Sequence, residues 1–302
     1  MKAAVFKAVG KPLSIEKVDD PTPAASELVM KVSYCGICGT DLHATREGLT
    51  TACCGQILGH EYVGEIAEVG KEADGDWQLG DRVCSLPFIG CGKCRACVSG
   101  QFFQCMNKKV SGVDDQGGFA EFVTTGSRET ILIPDNIDLE TAALVEPLAV
   151  SLHAVRVADL KAGQRVLIMG AGPIGLTVAL WAKFFGARDV VVSELADSRA
   201  ALAKKMGANH VIKPDLSKGS EQLLEQFSDL SGAAPDVIFE CVGAPGLLQQ
   251  CMEMAPYGGK VIPVGVCEQP DNIMPFLGLI KELNIQFAIA YDKDDFETSI
   301  AM

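Results

Sequence analysis

The sequence predicts an α/β protein in two parts, a mostly β N-terminal half followed by a doubly wound parallel sheet, and three observations carry that expectation. A chain of 302 residues is too long for one small core, so two domains are the natural division. Up to about residue 151, short runs alternate apolar and polar residues between turns, which is how half-buried strands read. From Leu152 onward, brief apolar runs alternate with longer stretches of helical period, as in a parallel sheet with crossover helices. The expected boundaries are 1–151 and 152–290, with 291–302 opening a segment that returns to the first domain.

In the first half, LVMKVSY places Leu28, Met30, Val32 and Tyr34 on one face of a strand, and AEFVTT and ETILIP repeat the pattern. In the second, RVLIM, DVVVS, HVIK, DVIFE and KVIPV are the buried strands. The uncharged run from Val166 to Ala182, VLIMGAGPIGLTVALWA, nears the length of a membrane helix. Its glycines and proline cluster in the first half, so it reads as strand, turn and buried helix. The closing DKDDFETSIAM starts like a helix, with acidic residues ahead of Phe296, Ile300 and Met302, and stops without a cap. The chain as given is therefore expected to end mid-helix.

Charge narrows the partners. With 26 basic against 39 acidic residues, the net charge of -13 repels phosphate backbones and anionic membrane surfaces, so neither nucleic acid nor membrane is an expected partner. The N-terminal MKAAVFKAVGKPLSIEK interrupts its apolar residues with lysines and lacks the core of a signal peptide. A cytoplasmic protein is expected, and in that reducing compartment the twelve cysteines read as metal ligands or buried thiols.

Four of them stand in GCGKCRACVSGQFFQC: Cys91, Cys94, Cys97 and Cys105 follow C-x2-C-x2-C-x7-C. Two-residue gaps let successive thiolates converge on one ion, and the longer gap lets the chain turn back to close a tetrahedron. Four thiolates leave zinc no open position, so such a site is structural. The rival is an iron–sulfur cluster. That run closes with C-x3-C-P, whereas Met106 follows Cys105 here.

The chemistry then belongs elsewhere. Two of the four histidines lie near another cysteine group, in CGICGTDLH (Cys35 to His43) and GHEYVGEI (Gly59 to Ile66). Cys38 and His60 with one carboxylate would form a three-ligand site whose fourth position stays open to substrate. The carboxylate is either Glu61, beside His60, or Glu146 in LVEPLAV, a charge in an apolar run that needs a partner if buried. Cys35 continues the alternating strand and reads as packing. Taken alone, a Cys and a His twenty-two residues apart are better explained as a buried thiol and a surface histidine.

In company they do not stand alone. CGICGTDLH, GHEYVGEIAEVG, GDRV, the four-cysteine lobe, ALVEPLAVSLHAV and GAGPIG, in this order over essentially the whole chain, resemble the zinc-dependent medium-chain alcohol dehydrogenases, in the branch of polyol, butanediol and threonine dehydrogenases. The resemblance implies a GroES-like β domain carrying both zincs, then a Rossmann NAD-binding domain. It implies Cys38 and His60 as catalytic zinc ligands, Glu61 or Glu146 as the third, and Thr40 and His43 as the relay that carries the alcohol proton out. Zinc lowers the pKa of an alcohol, and the nicotinamide takes the hydride. Turn-forming and surface roles are the plainer alternatives for Thr40 and His43.

The cofactor expectation rests on Gly170, Gly172 and Gly175, a G-x-G-x-x-G between strand RVLIM and an apolar helix opening near Ile174. Its glycines permit a tight turn and close approach, and the helix N-terminus faces a pyrophosphate. Strand DVVVS is followed by Glu194, nineteen residues after Gly175, where a carboxylate accepts from the adenosine ribose and repels a 2'-phosphate, favouring NAD. Arg199 would stack on adenine or receive a phosphate. Val264, Gly265 and Val266 match where relatives contact the nicotinamide, with core packing as the alternative.

For substrate, SLPFIG is expected to set Leu86, Phe88 and Ile89 near the site as an apolar wall. His43 and Arg46 are the nearby basic residues, with Glu47 neutralising Arg46. A compact neutral secondary alcohol or vicinal diol suits such a site better than a zwitterion. L-threonine 3-dehydrogenase is the alternative, and a non-catalytic zinc- and nucleotide-binding protein a further one. The resemblance also implies that relatives continue beyond this chain's end. NIQFAIAY, Asn284 to Tyr291, is expected to pair sheets edge to edge, giving a homodimer or homotetramer.

Overall fold

The structure, a computed structural model, describes residues 1–46, Gly48 and 52–302. Glu47 lies outside the described residues. The chain divides into two compact units, Met1–Glu146 with Tyr291–Met302, and Pro147–Ala290. The first crossing thus falls after Glu146 rather than after 151.

The first unit opens with a hairpin of β1 (Lys2–Val5) and β2 (Ser14–Lys17), followed by β3 (Glu27–Gly36), α1 (Gly39–Arg46), β4 (Glu61–Val69) and β5 (Arg82–Ser85). The cysteine lobe contains β6 (Phe88–Ile89), α2 (Arg95–Val98) and β7 (Lys109–Val110), and then come β8 (Phe122–Gly126), β9 (Thr130–Leu132) and α3 (Leu139–Ala142). The main sheet is antiparallel in the order β8-β3-β4-β5-β9. Leu28, Met30, Tyr62, Ile66, Val83 and Val123 form its core. Tyr34 does not join the face expected for it and is 46% exposed. The register between β3 and β4 shifts between Val32 and Tyr34, and such a bulge reverses the alternation downstream. Cys35 therefore packs against the core, as read from the sequence, and Gly36 comes to lie opposite Glu61.

Helix α4 (Val145–Val157) leads into the second unit: β10 (Arg165–Met169), α5 (Pro173–Phe184), β11 (Asp189–Ser193), α6 (Asp197–Lys205), β12 (His210–Ile212), α7 (Gly219–Ser231), β13 (Val237–Glu240), α8 (Leu247–Met254), β14 (Lys260–Pro263), α9 (Pro275–Ile280) and β15 (Asn284–Ile285). Its six strands are parallel in the order β12-β11-β10-β13-β14-β15. Order therefore reverses between β10 and β13, the switch point beside which such sheets bind nucleotides. Alternate residues of β10 feed opposite cores, Val166 and Ile168 into one and Leu167 and Met169 into the other. Of NIQFAIAY only Asn284–Ile285 is regular strand, and Tyr291 belongs to the first unit. No helix among the described residues is long and apolar enough to cross a membrane.

The returning segment forms α10 (Lys293–Ala301), which starts on a capping box between Asp292 and Asp295 and buries Phe296 and Ile300. Within the first unit, Lys293 donates to the Arg128 carbonyl at 2.9 Å.

Candidate active site

The donor atoms of Cys91, Cys94, Cys97 and Cys105 all lie within 4.8 Å of one another. The Sγ atoms of Cys94 and Cys97 are 3.5 Å apart and those of Cys91 and Cys97 4.0 Å. Those distances bracket the edge of a tetrahedron, about 3.8 Å, that a zinc–sulfur bond of ~2.3 Å requires. The Lys93 and Cys94 amides hold the Cys91 thiol down to about 6. Burial, and then the Cys94 thiol, push Cys97 up to about 12. Four thiols this close do not all ionise without a cation among them, so the set fits a metal.

The second group is Cys38, His60 and Glu61, whose donor atoms also lie within 4.8 Å of one another. Local folding brings them there. Asp41, 4% exposed, accepts from the Cys38 amide at 2.9 Å and the Gly59 amide at 3.2 Å, tying the turn before α1 to the residue before His60. Glu61 opens β4 opposite Gly36, and a Cβ at Gly36 would stand 2.0 Å from its Oε2. Only glycine leaves room for that carboxylate. His60 is 9% exposed, and its Nδ1 is buried with no hydrogen-bond partner. A buried orphan nitrogen beside a thiol and a carboxylate fits a metal-binding set. Burial raises the Cys38 thiol, against a hydrogen bond to Thr40, so the thiolate needs a cation nearby.

Glu146 stands outside that group of three. It is 8% exposed and accepts from the Tyr291 hydroxyl at 2.9 Å. Burial pushes its carboxyl up to about 8, with His60 opposing and Glu61 and Cys38 reinforcing the rise. Thr40 lies 3.5 Å from Cys38 Sγ through its hydroxyl. His43, three residues on along α1, is exposed. Leu86, Phe88 and Ile89 are not an open wall: they are 0%, 7% and 9% exposed, and Phe88 packs on Phe103 and Tyr291. Asp41 and Tyr291 were not singled out from sequence. The placement of Asp41 in CGTDLH, three residues after Cys38, was the available signal for the first.

In the second unit the glycine loop joins β10 to α5. Gly170 has φ +91°, and a Cβ at Gly175 would meet the Gly170 carbonyl oxygen at 2.0 Å, so this close approach of helix and strand admits no side chain. At Gly172, the residue before α5, an added Cβ would meet nothing within 4 Å. Ile174 packs its side chain against the core. Glu194 Oε2 accepts from the Ala171 amide at 2.8 Å, and Oε1 from the Ala196 amide at 2.7 Å and Arg199 at 2.6 Å. Burial would raise this carboxyl, but Arg199 and the two amides prevail and hold it at about 2.

Gly170, Glu194 and Arg199 line a cavity of about 310 Å³ together with Pro214, Asp215, Leu216 and Val242. The latter four follow strand ends on either side of the switch point, a placement that sheet order reveals and sequence does not. Val264, Gly265 and Val266 are not among its lining residues. The Val264 and Gly265 amides donate to the Glu240 carbonyl at 2.8 and 2.9 Å, and Val264 packs on the core.

This combination of fold and donor sets defines a zinc- and dinucleotide-binding oxidoreductase. Residues 24–135 match the alcohol dehydrogenase GroES-like domain, and residues 173–302 match the zinc-binding dehydrogenase domain. Sorbitol dehydrogenase of Bacillus subtilis (strain 168) is 36% identical over 92% of this chain and 79% of its own. L-threonine 3-dehydrogenase of Pyrococcus furiosus is 39% identical over 83% of this chain and 71% of its own. The crystal structure of 2R,3R-butanediol dehydrogenase from Bacillus subtilis superposes with a TM-score of 0.86 at 31% identity, covering 99% of this chain and 87% of that one. Other matched structures hold NADP in one case and NADH in another. The chain belongs to the zinc-dependent medium-chain alcohol dehydrogenase family: it is an enzyme, with zinc and a nicotinamide dinucleotide as its cofactors.

Proposed function

We propose that this enzyme oxidises a compact secondary alcohol or vicinal diol to a ketone and passes the hydride to NAD. The observation that carries the proposal is the three-donor group of Cys38, His60 and Glu61, which leaves a metal an open position. Cys38, His60 and Glu61 would hold the zinc, which would supply the lowering of the alcohol's pKa, and the cavity lined by Gly170, Glu194 and Arg199 would hold the dinucleotide, which would supply the hydride acceptor. Thr40, beside Cys38, accepts the hydroxyl proton while passing its own on toward His43, one turn along α1, and His43 gives up a proton to solvent in turn. The four-cysteine set holds its lobe and takes no part in turnover.

Asp41, Glu61 and Glu146, the buried acidic groups near Cys38 and His60, offer no cationic partner to the carboxylate of an amino acid, so the site receives a neutral hydroxyl more readily. Oxidation of L-threonine is the second reading, favoured by the threonine dehydrogenase relative. Initial rates over secondary alcohols, diols, polyols and L-threonine test the ranking. The expected order places diols and secondary alcohols first by kcat/KM, and threonine as the best substrate would reverse it.

NAD is proposed because Glu194 stays ionised and its three hydrogen bonds leave it roughly one of four acceptor positions for a ribose hydroxyl. Glu194→Ala would free Arg199 for a 2'-phosphate and is expected to move the NAD over NADP preference at least about tenfold, ~1.4 kcal/mol. Parallel kinetics with the two cofactors measure it, and a wild type that prefers NADP would reverse the assignment.

The exposed Phe287 and Ile289 beyond β15 support a homo-oligomer joined along that edge. The twelve cysteines of the chain, five of them in groups that could hold a metal ion, support a reducing, cytoplasmic setting.

A further inference from the structure

Two carboxylates approach the donor group, and the chain treats them differently. Glu61 is seated over Gly36. Glu146, in the first turn of α4, is tethered by a hydroxyl from a residue 145 positions away. That residue, Tyr291, is 3% exposed. Its ring lies 5.6 Å from both Phe296, nearly parallel at 16°, and Phe88, tilted at 57°. The preceding residue, Ala290, has φ +55°, a left-handed conformation uncommon for a residue with a Cβ. The following residue, Asp292, caps α10. Two ring contacts and the α10 cap flank this residue, and its hydroxyl meets Glu146.

We propose that Tyr291 is a positioning residue that divides the labour of the two carboxylates: by holding Glu146 back, it leaves Glu61 to complete the metal-binding set. The inference rests on the reading of Cys38, His60 and Glu61 as that set. A phenylalanine keeps both ring contacts and removes only the tether, so Glu146 loses its hydrogen-bond donor and gains freedom to turn toward a cation.

The test uses full-length protein loaded with cobalt in place of zinc, in wild type, Tyr291→Phe, Glu61→Gln and the double variant. Visible absorption and the rate of cobalt release to a chelator are followed, with the four-cysteine site as internal reference. Glu61→Gln is expected to release cobalt about tenfold faster or more. In the double variant the freed Glu146 replaces the lost carboxylate and release returns toward the wild-type rate, and adding Glu146→Gln removes that rescue. Tyr291→Phe alone is expected to change the cobalt spectrum. A double variant as leaky as Glu61→Gln, with Tyr291→Phe spectrally unchanged, would overturn the role of Tyr291 alone. Unchanged release and spectrum in Glu61→Gln would overturn the donor set itself, and this inference with it.

Discussion

Cys38→Ser is expected to leave a folded protein that turns over its alcohol at least about a thousandfold more slowly, ~4 kcal/mol of lost transition-state stabilisation. A serine oxygen is a poor substitute for a thiolate at a zinc site, and Cys38 is one of only three donors in its group. The fold should not depend on the thiol. Asp41 holds this turn through the Cys38 and Gly59 amides, and those bonds survive the substitution. Elemental analysis should show one metal ion lost per chain while circular dichroism stays unchanged. Turnover at the wild-type rate would show that the chemistry does not use this group.

Cys97→Ser should give the opposite signature, a large loss of stability with turnover per folded molecule nearly retained. Between Cys91 and Cys105 the regular structure is one four-residue helix and one three-residue 3-10 turn, lengths that do not persist by themselves in water. Cys97 is 5% exposed, and its Sγ stands 2.6 Å from where a Gly90 Cβ would be, so the lobe is wrapped tightly around its sulfurs. Structural zinc contributes ~10–16 kcal/mol of apparent binding energy in small domains. Losing even a few kcal/mol should lower Tm by roughly 10 °C in a chain of this size. Calorimetry with limited proteolysis checks this: the variant should be cut first between Cys91 and Cys105. An unchanged Tm would mean that the lobe holds itself together without its metal.

Much of this was legible in the sequence because spacing encodes it. C-x2-C-x2-C-x7-C and G-x-G-x-x-G each lie within one short stretch, so local geometry fixes their chemistry. That Glu61 rather than Glu146 groups with Cys38 and His60 was not legible, since it turns on strand register and on the bulge that sets Gly36 against Glu61. The same bulge sends Tyr34 outward. Leu86, Phe88 and Ile89 look alike in sequence whether they line a pocket or fill a core, and here they are buried. The walls of the cavity beside Glu194 come from the ends of strands distant in sequence, and only the order of strands joins them.

The discontinuity of the first unit has a consequence for biosynthesis. Met1–Glu146 leaves the ribosome before the second unit, yet its remaining piece, Tyr291–Met302, follows only after Pro147–Ala290 has been made. At ~5–20 residues per second, the hydroxyl that meets Glu146 arrives on the order of ten seconds after its carboxylate. The contiguous Pro147–Ala290 unit can complete its sheet during that interval. In the interim Glu146 stands without its tether, and Cys38, the one thiol of the proposed metal-binding set, is open to whichever soft ion or oxidant reaches it.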